Sequence, residues 1–190
     1  MIKKVNKWLN EYVFMKRGFG SLGSNCFIGR HSYYQNKHNM YIGNDTTIFS
    51  NARIQSLEAI VDKPPKITIG NHCYIGYYFT ILAGADVTIE NNVLIASHVI
   101  ITSENHSVDP ESNIPYMDQS LIVSPVVIKE GAWIGEKAII LPGVTVGKKS
   151  VIGGGSVVTK NVPDYTMVAG NPAKIIKQYN FDLHKWEKFK

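Results

Sequence analysis

The sequence predicts an all-β fold in which the chain winds as a three-sided parallel coil. Three observations carry this. An Ile or Val recurs every sixth position over long stretches, the fifth place of each six-residue block is usually small or β-branched, and departures from the period are confined to a few sites. A period of six matches neither the 3.6 of an amphipathic helix nor the 2 of a half-buried strand. If each block makes one short face and one turn, three blocks complete an 18-residue circuit. The branched residues then point inward on every circuit and stack at the strand spacing of about 4.8 Å. No circuit could bury its own apolar side alone, so several must stack.

In chain order, residues 1–25 are non-repetitive, with Val5, Trp8, Leu9, Tyr12 and Val13 at helical spacing, and predict an N-terminal helical cap. The coil is expected over 26–174. IGNDTT, IFSNAR and IQSLEA run from Ile42, IGNHCY, IGYYFT and ILAGAD from Ile69, and IENNVL, IASHVI and ITSENH from Ile89. From Ile128 six blocks follow without interruption, IKEGAW, IGEKAI, ILPGVT, VGKKSV, IGGGSV and VTKNVP. Nine extra residues, with Pro64 and Pro65, separate Ile54 from Ile69, and two separate Ile81 from Ile89. Between Ile101 and Ile128 there are 21, predicting a loop over 106–126 that leaves the coil. A long loop in a compact repeat is where function concentrates. Residues 175–190 carry Ile175, Ile176, Tyr179, Phe181, Leu183, Trp186 and Phe189, a C-terminal extension suited to bracing the coil's end.

Composition narrows the function. The chain has 190 residues, 44% hydrophobic and 18% charged, which suits one folded domain. Its net charge of +5 belongs to the ends: residues 1–20 carry +4 and 174–190 carry +3, leaving −2 in between, unlike a nucleic-acid-binding domain. Cys26 and Cys73 form no CxxC pattern, so no zinc site or disulfide framework is expected. The N-terminal stretch lacks the apolar run and cleavage site of a secretion signal, and no apolar run spans a membrane, so a cytoplasmic location is expected.

The blocks, and above all AWIGEKAIILPGVTVGKKSVIGGGSVVTKNVPDYTMVAGNPAKIIK, resemble the hexapeptide-repeat acyltransferases, and the resemblance covers residues 26–177. It implies a left-handed parallel β-helix; the period alone does not set the hand. Within that family the chain is most similar to the sugar O-acetyltransferases, both the galactoside and maltose type and those that decorate surface polysaccharides.

The resemblance implies one catalytic residue, His106 in TSENHSVDP, at the start of a loop about a circuit before the WIG block. A sugar hydroxyl is a poor nucleophile, and a neutral imidazole can take its proton as it attacks a thioester. Glu104, Asp109 and Glu111 are all candidates to orient that ring. For acetyl-CoA, the co-substrate, the matching positions are Trp133, Gly135, Glu136, Gly154, Thr159, Lys160, Lys174 and Lys177. Some galactoside-type relatives have Ser where Glu136 stands, so an oxyanion donor here would be the backbone N–H of Glu136. The lysines would meet phosphate as mobile point charges where relatives often use Arg. The galactoside enzymes' sugar-gripping Asn and Asp fall on Gly76 and Gly84, which argues against a simple galactoside acceptor. The other histidines, His31, His38, His72, His98 and His184, are assigned no role.

The expected partners are a sugar or glycan acceptor and two further copies of the chain, in a homotrimer with sites between subunits, with room for peripheral contact with a membrane-linked acceptor. No nucleic acid and no metal are expected. The alternatives are N-acetylation of an amino sugar or other amine, and a non-catalytic β-helix that binds or scaffolds.

Overall fold

A computed structural model describes residues 16–189. Of the helical cap expected over residues 1–25, residues 1–15 lie outside the described residues, and Ser21–Leu22 is already the coil's first strand, so the coil begins before residue 26. From Ser21 onward the chain winds as a left-handed parallel β-helix of triangular section, its short strands stacking into three faces. Six strands form the first face, from Ser21–Leu22 to Thr145–Val146, and six form the third, from Tyr33–Gln35 to Val157–Val158. Nine form the second, from Phe27–Ile28 to Lys185–Lys188.

The six-residue period becomes the core. On the first face Ile69, Ile89 and Ile128 stand in register, on the second Ile75, Ile95 and Ile134, and on the third Ile81, Ile101 and Ile140. All are buried. The fifth-place residues Cys73, Val93, Ala132 and Ser150 fill the corners between these ladders, and Phe79 does so as the one large member of its column. Backbone groups pair from circuit to circuit, as where Gly70 N–H donates to Ile89 O at 2.8 Å and Glu90 N–H to Ile128 O at 2.8 Å.

The fourth place of most blocks is the residue that bends the chain. Asp45, Asn51, His72, Tyr78, Asn92, His98, Lys137 and Lys149 all have φ between 49° and 64° there, and Gly131, Gly143 and Gly155 hold the same place. One left-handed residue per corner lets a two-residue strand turn onto the next face. Asn, Asp and Gly tolerate this best, which is why the column looks polar.

The excursion after the third face is an arm, and it is not structureless. Glu104–His106 pairs antiparallel with Leu121–Val123, and Tyr116–Asp118 makes one 3₁₀ turn beyond them. The arm is tied off at its root, because Ser124 N–H donates to Ser103 O at 3.0 Å and the coil resumes without losing register. Ser103, fully buried, donates its hydroxyl to Ala85 O at 2.7 Å and accepts from Ala85 N–H at 3.0 Å. Ser103→Ala leaves two backbone groups unpaired in the interior and is expected to cost about 1–3 kcal/mol, read as a lower midpoint in urea unfolding at an unchanged slope.

The C-terminal extension is two antiparallel strands. Ala173–Asn180 folds back on Thr166–Gly170, and Lys185–Lys188 pairs with it in turn. The boundary placed at 174/175 therefore falls inside a strand.

Candidate active site

Sheet geometry decides where each expected residue stands. His106 ends the outgoing strand of the arm, opposite Leu121, and its side chain is exposed. Glu104, two positions earlier, shares its face of the hairpin. Asp109 is engaged locally: its Oδ1 accepts the Glu111 N–H at 2.9 Å, while its own N–H donates to Gln119 Oε1. Among the described residues no carboxylate reaches the imidazole, so of the three candidate orienters only Glu104 is placed beside it by strand geometry. Gln119, which sequence reasoning missed, clips the tip of the arm through Nε2, donating to Asp109 O at 3.2 Å and to Ile114 O at 2.9 Å. No spacing signal marks it; it is a single amide in a polar segment. Gln119→Ala is expected to loosen the tip and lower acceptor turnover several-fold with little change in melting temperature, a split that activity and calorimetry together would read.

Trp133 faces outward on the second face, half exposed, between Leu94 and Val151. The corner that follows it carries Gly135 and Glu136, with Gly154 one circuit on. The glycines there have different reasons. A Cβ on Gly135 would stand 2.6 Å from Gly154 N and 2.7 Å from Ile152 O, so backbone from the next circuit excludes any side chain. Gly155 has φ +68° and open space around it, so its conformation is the constraint. A Cβ on Gly154 would meet Glu136 O at 3.2 Å and Glu136 N at 3.8 Å and nothing from the next circuit, so the missing side chain leaves the surface beside Glu136 open.

Backbone donors at the corners are mostly taken by side chains, as where Tyr77 N–H donates to Ser97 Oγ at 3.2 Å between the second and third faces. Along the corner between the first and second faces, the N–H groups of Asn44, Asn71, Glu130 and Lys148 are all taken by side-chain oxygens, those of Asn71, Asn91, Glu90 and Asp164. At the next corner Glu136 gives its carbonyl to Gly155 N–H at 2.7 Å, whereas its own N–H has no partner among the described residues. Glu136 is exposed. That N–H therefore faces solvent at an exposed corner.

Thr159 and Lys160 follow the last strand of the third face, and Lys174 lies on the strand that folds back. Lys160 and Lys174 line one cavity of about 430 Å³ with Asn161, floored by Val158, Val162 and Ile175. Lys177, half-buried where Lys174 is exposed, lies beyond an irregularity in the same strand and stands between Met167 and Lys188. The structure therefore brings together Trp133, Gly135, Glu136 and Gly154 as one group and Lys160 with Lys174 as another.

His106 stands apart from the first group. Its arm leaves the corner between the third and first faces, while Glu136 and Gly154 occupy the corner between the second and third. A whole face separates them within one chain. Among the described residues no cluster of His, Cys, Asp and Glu could hold a metal ion, and no helix is long and apolar enough to cross a membrane.

Comparison with known proteins adds four findings. The family profile described as bacterial transferase hexapeptide (six repeats) matches residues 125–160. The chain is 40% identical over 128 residues to the putative lipopolysaccharide biosynthesis O-acetyl transferase WbbJ of Escherichia coli, covering 64% of this chain and 65% of WbbJ. It is 31% identical over 166 residues to a chloramphenicol acetyltransferase of Klebsiella aerogenes, covering 81% and 68%. Among solved structures, the hexapeptide-repeat acetyltransferase VCA0836 of Vibrio cholerae, complexed with acetyl-CoA, superposes with a TM-score of 0.63 at 26% identity, over 90% of this chain and 78% of that one. The match to WbbJ spans a little under two thirds of that protein's length.

Proposed function

The chain belongs to the hexapeptide-repeat bacterial transferases, and from that premise we propose that it moves an acetyl group from acetyl-CoA to a hydroxyl of a sugar acceptor in surface-glycan biosynthesis. What supports this is an exposed imidazole on the arm together with the exposed Glu136 corner beside Gly154, the two groups such a transfer needs, on two corners of the coil. Acetyl-CoA supplies an activated thioester carbonyl. His106 takes the proton of the attacking hydroxyl through a ring nitrogen and returns it to the departing sulfur, so the imidazole ends the cycle as it began. The Glu136 N–H receives the negative charge that builds on the carbonyl oxygen. Gly154 lets the pantetheine arm lie against backbone, and Lys160 and Lys174 meet the phosphates as exposed cations. The likeness to WbbJ supports a sugar hydroxyl over an amine as acceptor.

Because one chain holds His106 and the Glu136 corner a face apart, the reaction needs His106 from one copy beside the groove of another. A closed ring of three copies provides this with every arm and every groove used. We place the protein in the cytoplasm, where acetyl-CoA is made, with glycan acceptors that include membrane-linked ones.

Thiol release from acetyl-CoA across a panel of sugars, oligosaccharides and primary amines tests the reading. Release with sugars and not with amines is expected; the reverse would replace the O-acetyl reading with N-acetylation, and neither release nor acetyl-CoA binding would leave only a scaffold. Lys160→Ala with Lys174→Ala is expected to weaken acetyl-CoA binding roughly 5- to 30-fold, the range for two exposed ion pairs. The loss should be larger at low ionic strength, where phosphate attraction is least screened. Isothermal titration at two salt concentrations reads this, and unchanged affinity would make both lysines plain surface charges.

A further inference from the structure

The nine-residue excursion before Ile69 remains unused by the reaction as described. With the root of the arm it lines an open cavity of about 320 Å³, at the small end of ligand-binding pockets. Val61, Pro65, Ala85, Val123 and Pro125 form its wall, with Asp62, Lys63 and Asp86 as its exposed charged groups, Asp86 Oδ1 already accepting the Lys66 N–H at 2.8 Å.

The arm's geometry aims this cavity at His106. A Cβ on Gly84 would stand 2.6 Å from Glu104 Cβ and 2.7 Å from Val123 Cγ1, so those two cross-strand partners turn their side chains down onto Gly84, itself part of the cavity's lining. Residues two apart on a strand share a face. His106 and Leu121 therefore project from the same side of the hairpin as Glu104 and Val123, with His106 about 7 Å farther out along the strand. A sugar ring whose hydroxyl meets His106 spans that length and brings a substituent over the cavity.

The wall is aliphatic. With no aromatic ring it offers nothing on which a pyranose face stacks, but branched side chains and prolines enclose a methyl group well. Asp62 can accept from a neighbouring hydroxyl or amide N–H, and Lys63 can donate to a hydroxyl or amide oxygen. We propose that this cavity selects the acceptor by receiving the methyl group of a methyl-bearing sugar, the C6 methyl of a 6-deoxyhexose or the acetyl methyl of an N-acetylhexosamine. The inference rests on the acetyl-transfer reading above and deepens it.

The test compares methyl glycosides of D-fucose, L-rhamnose and N-acetylglucosamine with those of D-galactose, L-mannose and glucose, following thiol release from acetyl-CoA. The methyl-bearing member of at least one pair is expected to show kcat/KM about 10-fold higher or more, the discrimination one methyl group gives in an apolar pocket. The pair concerned tells the 6-deoxy source from the N-acetyl one. Ala85→Leu, which intrudes on the cavity between Val61 and Val123, should erase the preference. Asp62→Asn, on an exposed segment where folding is not at stake, should raise KM for the preferred sugar several-fold at nearly constant kcat. Both variants should bind acetyl-CoA as the parent does. Equal rates within every pair, a preference that survives Ala85→Leu, or no turnover of any of the six would overturn the assignment. If acetyl-CoA still binds and other sugars are acetylated, only this assignment falls; if acetyl-CoA does not bind, the acetyl-transfer reading falls with it.

Discussion

His106→Ala is expected to lower turnover with the acceptor by roughly 10²- to 10⁴-fold, the usual cost of removing a general base. Nothing else should change much. The imidazole is exposed at the end of a strand, so its loss creates no cavity and leaves the Glu104–Val123 and Asn105–Ile122 pairs of the arm in place. Melting temperature and acetyl-CoA affinity should therefore stay close to those of the parent, which separates a chemical role from a structural one. Turnover within a few-fold of the parent would remove His106 from the reaction and leave the arm without a catalytic group.

The second large effect is expected at Gly154, where a side chain can be added without breaking the coil. Gly154→Phe places a ring on the surface beside Glu136, where an added Cβ meets Glu136 O at 3.2 Å and Glu136 N at 3.8 Å, and a few tenths of an ångström of movement relieves the closer contact. The ring then fills the space through which pantetheine would reach the Glu136 N–H. Acetyl-CoA affinity should fall by about 100-fold or more, since the variant loses contacts and adds a steric barrier on the same path. Gly135→Ala makes the contrast. Its Cβ would collide with backbone of the next circuit, so its first effect should be on unfolding rather than on binding. If Gly154→Phe binds acetyl-CoA as well as the parent does, this corner is not the cofactor groove.

The coil was legible because its interior admits one kind of side chain at one place in every block. Ile75, Ile95 and Ile134 stack in register, and a substitution at any of them is felt by the circuits on both sides, so the period is written directly in the chain. The corners were half legible: the polar fourth place was visible, but its cause, a left-handed φ, shows only in the backbone, and Tyr78 at φ 56° hides the pattern further. The arm was legible as an excursion and not as a hairpin. Its strands are three residues each, too short for alternation to register, and they pair across a turn whose length no local signal sets.

Of the candidate site, the residues could be named from their likeness to a family pattern, while their grouping could not. That His106 leaves one corner and Glu136 occupies another follows from which face each block lands on. The unpartnered Glu136 N–H is equally invisible in sequence, since it depends on what the neighbouring circuits do not offer. The cavity beside Ala85 and Val123 forms between two excursions whose packing against each other no block pattern records.

Mixing two inactive variants tests most directly whether the reaction runs where two copies meet. His106→Ala and Gly154→Phe, unfolded together and refolded as a mixed assembly, would each lack one half of the site. If the imidazole and the groove come from different copies, random mixing rebuilds intact sites at about one boundary in four, and roughly a quarter of the parental rate should return. If both come from the same chain, no mixture holds an intact site, and a rate that stays at the level of the separate variants would contradict the account.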